Sequence, residues 1–463
     1  MSVMSALFDN GAYNSEQAFG ACDITSSEMR SAIRDWYGLY YDNALTEHED
    51  PCQRLPYTIV NKLTRTTFSE YDAQPAKESG KAPFIASLLL CLDRVRKSAM
   101  QQAQIGGECF IKPIIASSGI QFRVVSRRNY LVFGRNERDE ITDIGTTEHT
   151  SAGKMIYTLL ERRTIDSAGR LTIINRLFRS SQPGTLGTEV PLTELDKYSA
   201  LPPVLTFPQP FWSLGLIPLR MPMENCVDGS PDGVSVYAPA AGLIHNININ
   251  ERQIGGEFER GESRIIASAD LLRVSDNGTR KLDDHLFVGL DDDPDRVGVT
   301  IFSPTLREQS FLARKTEYLR NIETLIGIKR GILSEVESAE RTATEITSSA
   351  GDYNLTIIDL QEMWERAVRE TIRVCNLLGQ YYRLCDESVI DPEKDVVISW
   401  GNGILYDEDK VWTDYKAMVA SGMLKPELAL AWYFNMPAET PEDLQRVREK
   451  YMPEMEAMLG DDE

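Results

Sequence analysis

Residues 327–354 read GIKRGILSEVESAERTATEITSSAGDYN, and the architecture of the chain turns on what this stretch becomes. Two glycines flank a Lys-Arg pair, an acidic run follows, and small or β-branched polar residues then lead into a helical pattern. Tyr353, Ile357, Leu360, Trp364 and Ala367 recur at alternating steps of four and three and continue to Leu378, which predicts the longest helix of the chain. Asp391-Pro392 is expected to end it, because the residue before a proline is driven out of helical backbone. A mobile loop would thus feed a helix whose first turns carry almost no large side chains. Taken alone, that describes a surface helix of weak propensity equally well.

Just upstream, two helical patterns bracket a small unit. In 236–263, Leu243, Ile247, Ile254 and Phe258 recur at steps of four, seven and four, which predicts a helix despite the β-branched NININ. After Pro304, Leu312, Leu319, Ile322 and Ile326 follow at steps of seven, three and four. The intervening RIIASADLLRVSDNGTRKLDDHLFVGLDDDPDRVGVTIFSP reads as short strands and turns.

Further toward the N-terminus, TSSEMRSAIRDWYGLYYD offers Thr25, Ser26 and Ser27 as N-caps, followed by an apolar face of Met29, Ile33, Trp36 and Tyr40. RLPYTIVNKLTRTTFSEY places Ile59, Leu63 and Phe68 along an amphipathic segment, and PFIASLLLCLDRVRKSAMQQAQIGGE predicts a helix closed by Gly106 and Gly107. The period then changes. CFIKPII, GIQFRVVS, NYLVFG, ITDIGTTEHT, KMIYTLLERRTI and RLTIINRLFRS are short β-rich segments between turn residues, the pattern of one meandering antiparallel sheet. The Pro- and Gly-rich DGSPDGVSVYAPAAG closes this α+β part. C-terminal to the long helix, DVVISWGNGIL predicts one strand, and DEDKVWTDYKAMVASG, KPELALAWYF and TPEDLQRVREKYMPEME predict helices. Leu428 and Trp432 share an apolar face, and Thr440, Pro441 and Asp443 come close to a capping box.

The 463 residues are too many for one ordinary core, and 49 basic against 70 acidic residues give a net charge of −21. That balance disfavours tight duplex binding, which needs clustered Lys and Arg, and it fits equally a protein with no DNA role and one through which DNA passes without being held. No uncharged apolar run reaches membrane-spanning length, and the first 30 residues lack a signal-peptide pattern, so assembly in a cytoplasm is expected. Seven scattered cysteines without a Cys-x-x-Cys pair indicate reduced, mostly buried thiols. None of His48, His149, His245 and His285 stands at metal-ligand spacing with another, and GIKRGILS lacks the glycines and Gly-Lys-Ser/Thr of a phosphate loop. Asp291, Asp293 and Asp295 could gather a hard cation, but Arg296 and Phe302 occupy the positions where a calcium loop needs Gly and Glu, leaving a solvated acidic turn.

The order of elements resembles the portal proteins of tailed double-stranded DNA bacteriophages, especially siphophages of Gram-positive hosts. Four segments carry the resemblance: RLPYTIVNKLTRTTFSE; GGECFIKPIIASSGIQFRVVSRRNYLVF through LERRTIDSAGRLTIINRLFRS; ERTATEITS; and DYKAMVASGMLKPELALAWYF. They span roughly residues 26–450 in the expected order.

The resemblance implies a homo-oligomeric ring of about twelve copies at one capsid vertex, a multidomain α+β architecture and a virion location. It makes 1–235 the N-terminal part of the wing, 236–263 and 304–328 the paired stem helices, 264–303 the clip, 329–340 the tunnel loop, 341–404 the long wing helix and strand, and 405–463 the crown. Lys329 and Arg330 would touch DNA phosphates transiently, while Glu335, Glu337 and Glu340 prevent strong attachment. Small residues at Thr342, Ala343 and Thr344 would let neighbouring helices approach, and Gly327 and Gly331 would let the loop adjust to passing DNA. Implied partners are double-stranded DNA, terminase as the source of translocation energy, a head-tail adaptor, and the major capsid and scaffolding proteins. No cofactor, metal, catalysis or membrane is implied. Two other expectations stand beside this one: a connector or minor head protein that never surrounds DNA, and an acidic hydrolase working through Asp291 and Asp293.

Overall fold

The computed structural model describes residues 15–41, 53–76, 80–116, 119–260, 264–267, 272–274, 280–282, 299–302, 307–334, 343–386, 390–400, 408–434, 436, 438 and 441–452. The chain is α+β and divides into two compact units, one of residues 1–67 and 73–397, the other of residues 68–72 and 398–463.

The first unit opens with helices α1 (Ser15–Phe19), α2 (Ser27–Tyr41), α3 (Leu55–Thr67) and α4 (Ala82–Gly106). Ser26 caps α2, its hydroxyl oxygen accepting the Met29 N–H at 3.1 Å. The predicted stripes turn inward: Met29, Ile33, Trp36, Ile59 and Leu63 are buried. Strand β1 (Asp72–Pro75) lies between α3 and α4.

The expected single meander is two sheets. Strands β2 (Glu108–Ala116) and β3 (Gly119–Ser126) form a hairpin, while β4 (Tyr130–Arg135), β5 (Ile141–Ala152), β6 (Met155–Ile165), β7 (Arg170–Ser180) and β8 (Thr188–Val190) continue in order in a second sheet. β9 (Val204–Pro210) also pairs with β7, and β10 (Ile217–Arg220) pairs with β2, Ile217 opposite Ile111. The break falls at Arg127–Asn129, a 3-10 turn whose first side chain is buried. The Arg127 guanidinium donates to Thr25 Oγ1 at 3.1 Å and the Tyr130 carbonyl at 3.3 Å, and lies 3.5 Å from Glu108, which also accepts the Tyr130 hydroxyl at 2.6 Å. A charge so thoroughly engaged holds the backbone in a turn where a continuous ladder would need an extended segment.

A second buried cluster ties the sheets together. Glu161 on β6 takes Lys112 of β2 at 2.6 Å and Arg163 at 2.7 Å, and Arg163 also donates to the Leu214 and Gly215 carbonyls at 2.9 and 3.1 Å. Burial pushes the Glu161 carboxyl up, but the flanking Arg163 and Lys112 outweigh it and bring it down to about 2.

Helix α5 (Ala241–Arg260) begins five residues later than the pattern suggests, after a 3-10 turn at Ala238–Ala240. β11 (Arg264–Ala267), β12 (Leu272–Val274), β13 (Arg280–Leu282) and β14 (Val299–Phe302) follow, β11 pairing with β14 and β12 with β13. Helix α6 (Glu308–Ile326) returns antiparallel to α5. The Asn250 amide donates to the Phe311 carbonyl at 3.2 Å, Lys315 meets Glu251 at 2.6 Å, and Arg307 grips Glu257 through two bonds of 3.0 and 2.9 Å.

Helix α7 (Ala343–Tyr381) has 39 residues, the longest among the described residues. It stops ten residues before Asp391-Pro392, so the proline does not end it. Arg383 adopts left-handed backbone (φ 57°), the Leu384 N–H reaches back to the Gly379 carbonyl at 2.7 Å and the Arg383 N–H to that of Gln380 at 3.1 Å, the paired bonds that terminate a helix. β15 (Val396–Ser399) pairs with β1.

In the second unit, α8 (Glu408–Ala420), α9 (Pro426–Tyr433) and α10 (Pro441–Tyr451) pack through aromatic pairs, Trp412 with Tyr433 at 4.5 Å, Tyr415 with Trp432 at 5.1 Å and Phe434 stacked on Tyr451 at 4.0 Å. Ala429, Ala431 and Val447 are buried, whereas Leu428 and Trp432 are half-buried. Pro441 opens α10 as expected; Thr440 lies outside the described residues. The cysteines depart from expectation: of the six described, Cys109 and Cys375 are buried, Cys91 and Cys385 half-buried, and Cys22 and Cys226 exposed.

Candidate functional site

The turn between α6 and α7 is built from the end of α6. Gly327 caps that helix in left-handed backbone (φ 71°), its N–H bonding the Thr324 carbonyl, and the Ile328 N–H bonds that of Glu323 at 3.0 Å. A Cβ on Gly327 would stand 2.7 Å from Thr356 Oγ1, and the Thr356 hydroxyl donates to the Gly327 carbonyl at 2.9 Å. Gly331 also sits at positive φ (96°). Both glycines stand in backbone that other residues rarely adopt, and the turn between them and Ser334 is hydrogen-bonded to α6.

The anchor is Glu323, fully buried on α6. Its Oε1 accepts the backbone N–H groups of Gly331 (3.0 Å), Leu333 (2.6 Å) and Ser334 (3.0 Å), and its Oε2 accepts the Ser334 hydroxyl at 2.7 Å. Ile328 and Ser334 are buried on either side of exposed Lys329 and Arg330. Two cations are thus held toward solvent on a pinned turn. Sequence reasoning missed Glu323, although it left a signal: position 323 follows Leu319 by four and precedes Ile326 by three, so a carboxylate stands on a stripe otherwise read as core.

Thr344 falls in the first turn of α7, and Ala343 begins that helix. Glu335, Glu337, Glu340 and Thr342 lie outside the described residues, as do Asp291, Asp293, Asp295, His48 and His285. In the helix pair, Ile247, Leu319, Ile322 and Ile326 are buried and Leu243 and Ile254 half-buried, but Phe258 is 48 % and Leu312 45 % exposed. The expected packing stripe therefore closes only at the end of the pair near Ile326. At the other end a shallow hollow is lined by Ile254, Glu257, Phe258, Glu308 and Phe311.

Among the described residues no group of three or more His, Cys, Asp or Glu could hold a metal, and no helix is long and apolar enough to cross a membrane. His149 pairs with the Thr158 hydroxyl at 3.1 Å, and burial pulls its imidazole below the usual range; His245 meets Asp35 at 2.8 Å on the surface.

No family model and no curated protein matches the chain. Among solved structures, the neck of a native GTA particle computed with C12 symmetry is similar to it at 11 % identity, covering 91 % of this chain and 98 % of that one with a TM-score of 0.45.

Proposed function

We propose that this chain is a subunit of a head-tail connector ring in a tailed, phage-like virion, and in finer form a portal protein. On this reading 236–263 and 304–328 are stem helices, 264–303 the clip, 329–340 the tunnel loop, 1–235 with 341–404 the wing, and 405–463 the crown. The observation that carries it is the antiparallel pair α5 and α6, which brackets a small strand unit and ends in a pinned turn that presents Lys329 and Arg330 ahead of α7. Rotational symmetry would repeat those cations around an axis, where they meet phosphates one at a time while the acidic surface prevents lasting attachment. DNA would pass through without tight binding. Terminase would supply the energy, and the capsid, scaffolding and head-tail adaptor proteins would dock outside.

Electron microscopy of the purified protein tests the coarse reading: rings with an axial hole are expected, and a strictly monomeric species at micromolar concentration in several salts would overturn it. For the finer reading, replacing Lys329 and Arg330 together by Glu changes each subunit's charge by about four and should lower capsid-protected DNA in a packaging reaction with terminase and ATP. Normal packaging by well-formed rings of that variant would remove the turn from the DNA path.

A further inference from the structure

A buried carboxylate is costly unless its lone pairs are filled, and Glu323, with none of its surface exposed, fills them from a single turn. Three backbone N–H groups, from Gly331, Leu333 and Ser334, converge on one oxygen, the arrangement of a backbone anion nest. Here the chain supplies its own anion. The Ser334 hydroxyl occupies the second oxygen at 2.7 Å, and Thr356 on α7 ties Gly327 at the near side of the turn. Lys329 and Arg330 stand between the two clamps.

We propose that Glu323 is a positioning residue, a latch that holds 328–334 in one conformation so that Lys329 and Arg330 leave the end of α6 at a set height and direction. A Lys-Arg pair on a free loop would sample many positions, and in a ring the copies would differ from one another at any instant. A latched pair repeats identically in every subunit. What the two cations meet rests on the connector reading above; the latch itself does not. Without the carboxylate, three amide donors and a hydroxyl would lose their acceptor, those of Ser334 while buried, and the turn would open to water to satisfy them. A glutamine can keep much of the geometry, because its amide oxygen accepts the same N–H groups while its NH2 donates to the rotated Ser334 hydroxyl.

Limited trypsin digestion of the full chain, with cuts after Lys329 and Arg330 quantified by mass spectrometry, reads the latch directly. In Glu323→Ala those two cuts should quicken by about tenfold or more, with other sites much less affected and the melting transition lowered by only a few degrees, since cleavage follows the population of the opened turn. Glu323→Gln should stay within about threefold of wild type. Should the alanine variant fail to fold, Ser334→Ala and Thr356→Val each remove one bond and should quicken the same cuts about two- to fivefold. Equal cleavage in all variants and wild type, or a glutamine variant as labile as alanine, would overturn the latch. Packaging separates this from the functional reading. Faster cleavage with less protected DNA in well-formed rings supports both. Faster cleavage with normal packaging keeps the latch and overturns the role of the Lys-Arg pair on DNA.

Discussion

Helix α7 and the α5–α6 pair carry the same kind of apolar repeat, yet they finish differently. Along α7, Ile357, Leu360, Trp364, Ala367, Ile372, Cys375 and Leu378 are all buried within a single chain. The pair buries Ile247, Ile322 and Ile326 at one end and leaves Phe258 and Leu312 in water at the other. Periodicity reports that a face is apolar; it does not report which molecule covers it. The stripe of α7 is covered within its own unit, while the distal end of the pair keeps two large apolar side chains about half exposed among the described residues.

The largest effect should come from α7. Trp364→Ala removes a fully buried indole from the centre of its stripe and should cost about 3–5 kcal/mol in denaturant unfolding. A loss under about 1 kcal/mol would mean that the helix is not the spine of its unit. Next comes the charged joint between the sheets. Glu161→Gln strands Lys112 and Arg163 and should cost about 3 kcal/mol or more. Because the Glu161 pKa is depressed from an ordinary 4.5 to about 2, its contribution is fully present above 4.5 and fades as pH falls toward 2. The acid limb of the wild-type stability curve should therefore be steeper than that of Glu161→Gln, and identical limbs would exclude this pair as its source.

Most of the element order is legible in the sequence, because the buried stripes of α2, α3 and α7 are strong periodic signals and β2 to β7 are β-rich runs separated by turn residues. Pairing was not. Nothing local marks the break between β3 and β4, and Arg127 at that break meets Thr25, 102 residues away in sequence, as well as the nearer Glu108 and Tyr130. The end of α7 was misplaced for a related reason: a proline is a visible stop, whereas an arginine in left-handed backbone is not. At the candidate site the sequence marked Lys329 and Arg330 but read the flanking glycines as sources of freedom. The partners of that turn are Glu323, marked only as a carboxylate on an apolar stripe, and Thr356, which nothing in its helical pattern marks.

The smallest effect on the isolated chain, and the sharpest test of the opening contrast, concerns Phe258 and Leu312. Exposed side chains lose little when truncated, so Phe258→Ser with Leu312→Ser should change unfolding free energy by no more than about 0.5 kcal/mol per site. Assembly is another matter. If these residues are covered by a neighbouring subunit, each copy in a ring buries apolar surface there, and exchanging both for hydroxyls removes that gain at every interface while adding polar groups to be desolvated. Light scattering on the double variant should then show rings replaced by smaller species at concentrations where wild type is fully assembled, with denaturation of the dissociated chains nearly superimposable. Two results would break the contrast in different ways. Unimpaired rings would show that the distal end of the helix pair faces solvent in the assembly as it does in the single chain. A large stability loss in dissociated protein would show that Phe258 and Leu312 are covered within one chain in solution, and the pair would then be as self-sufficient as α7.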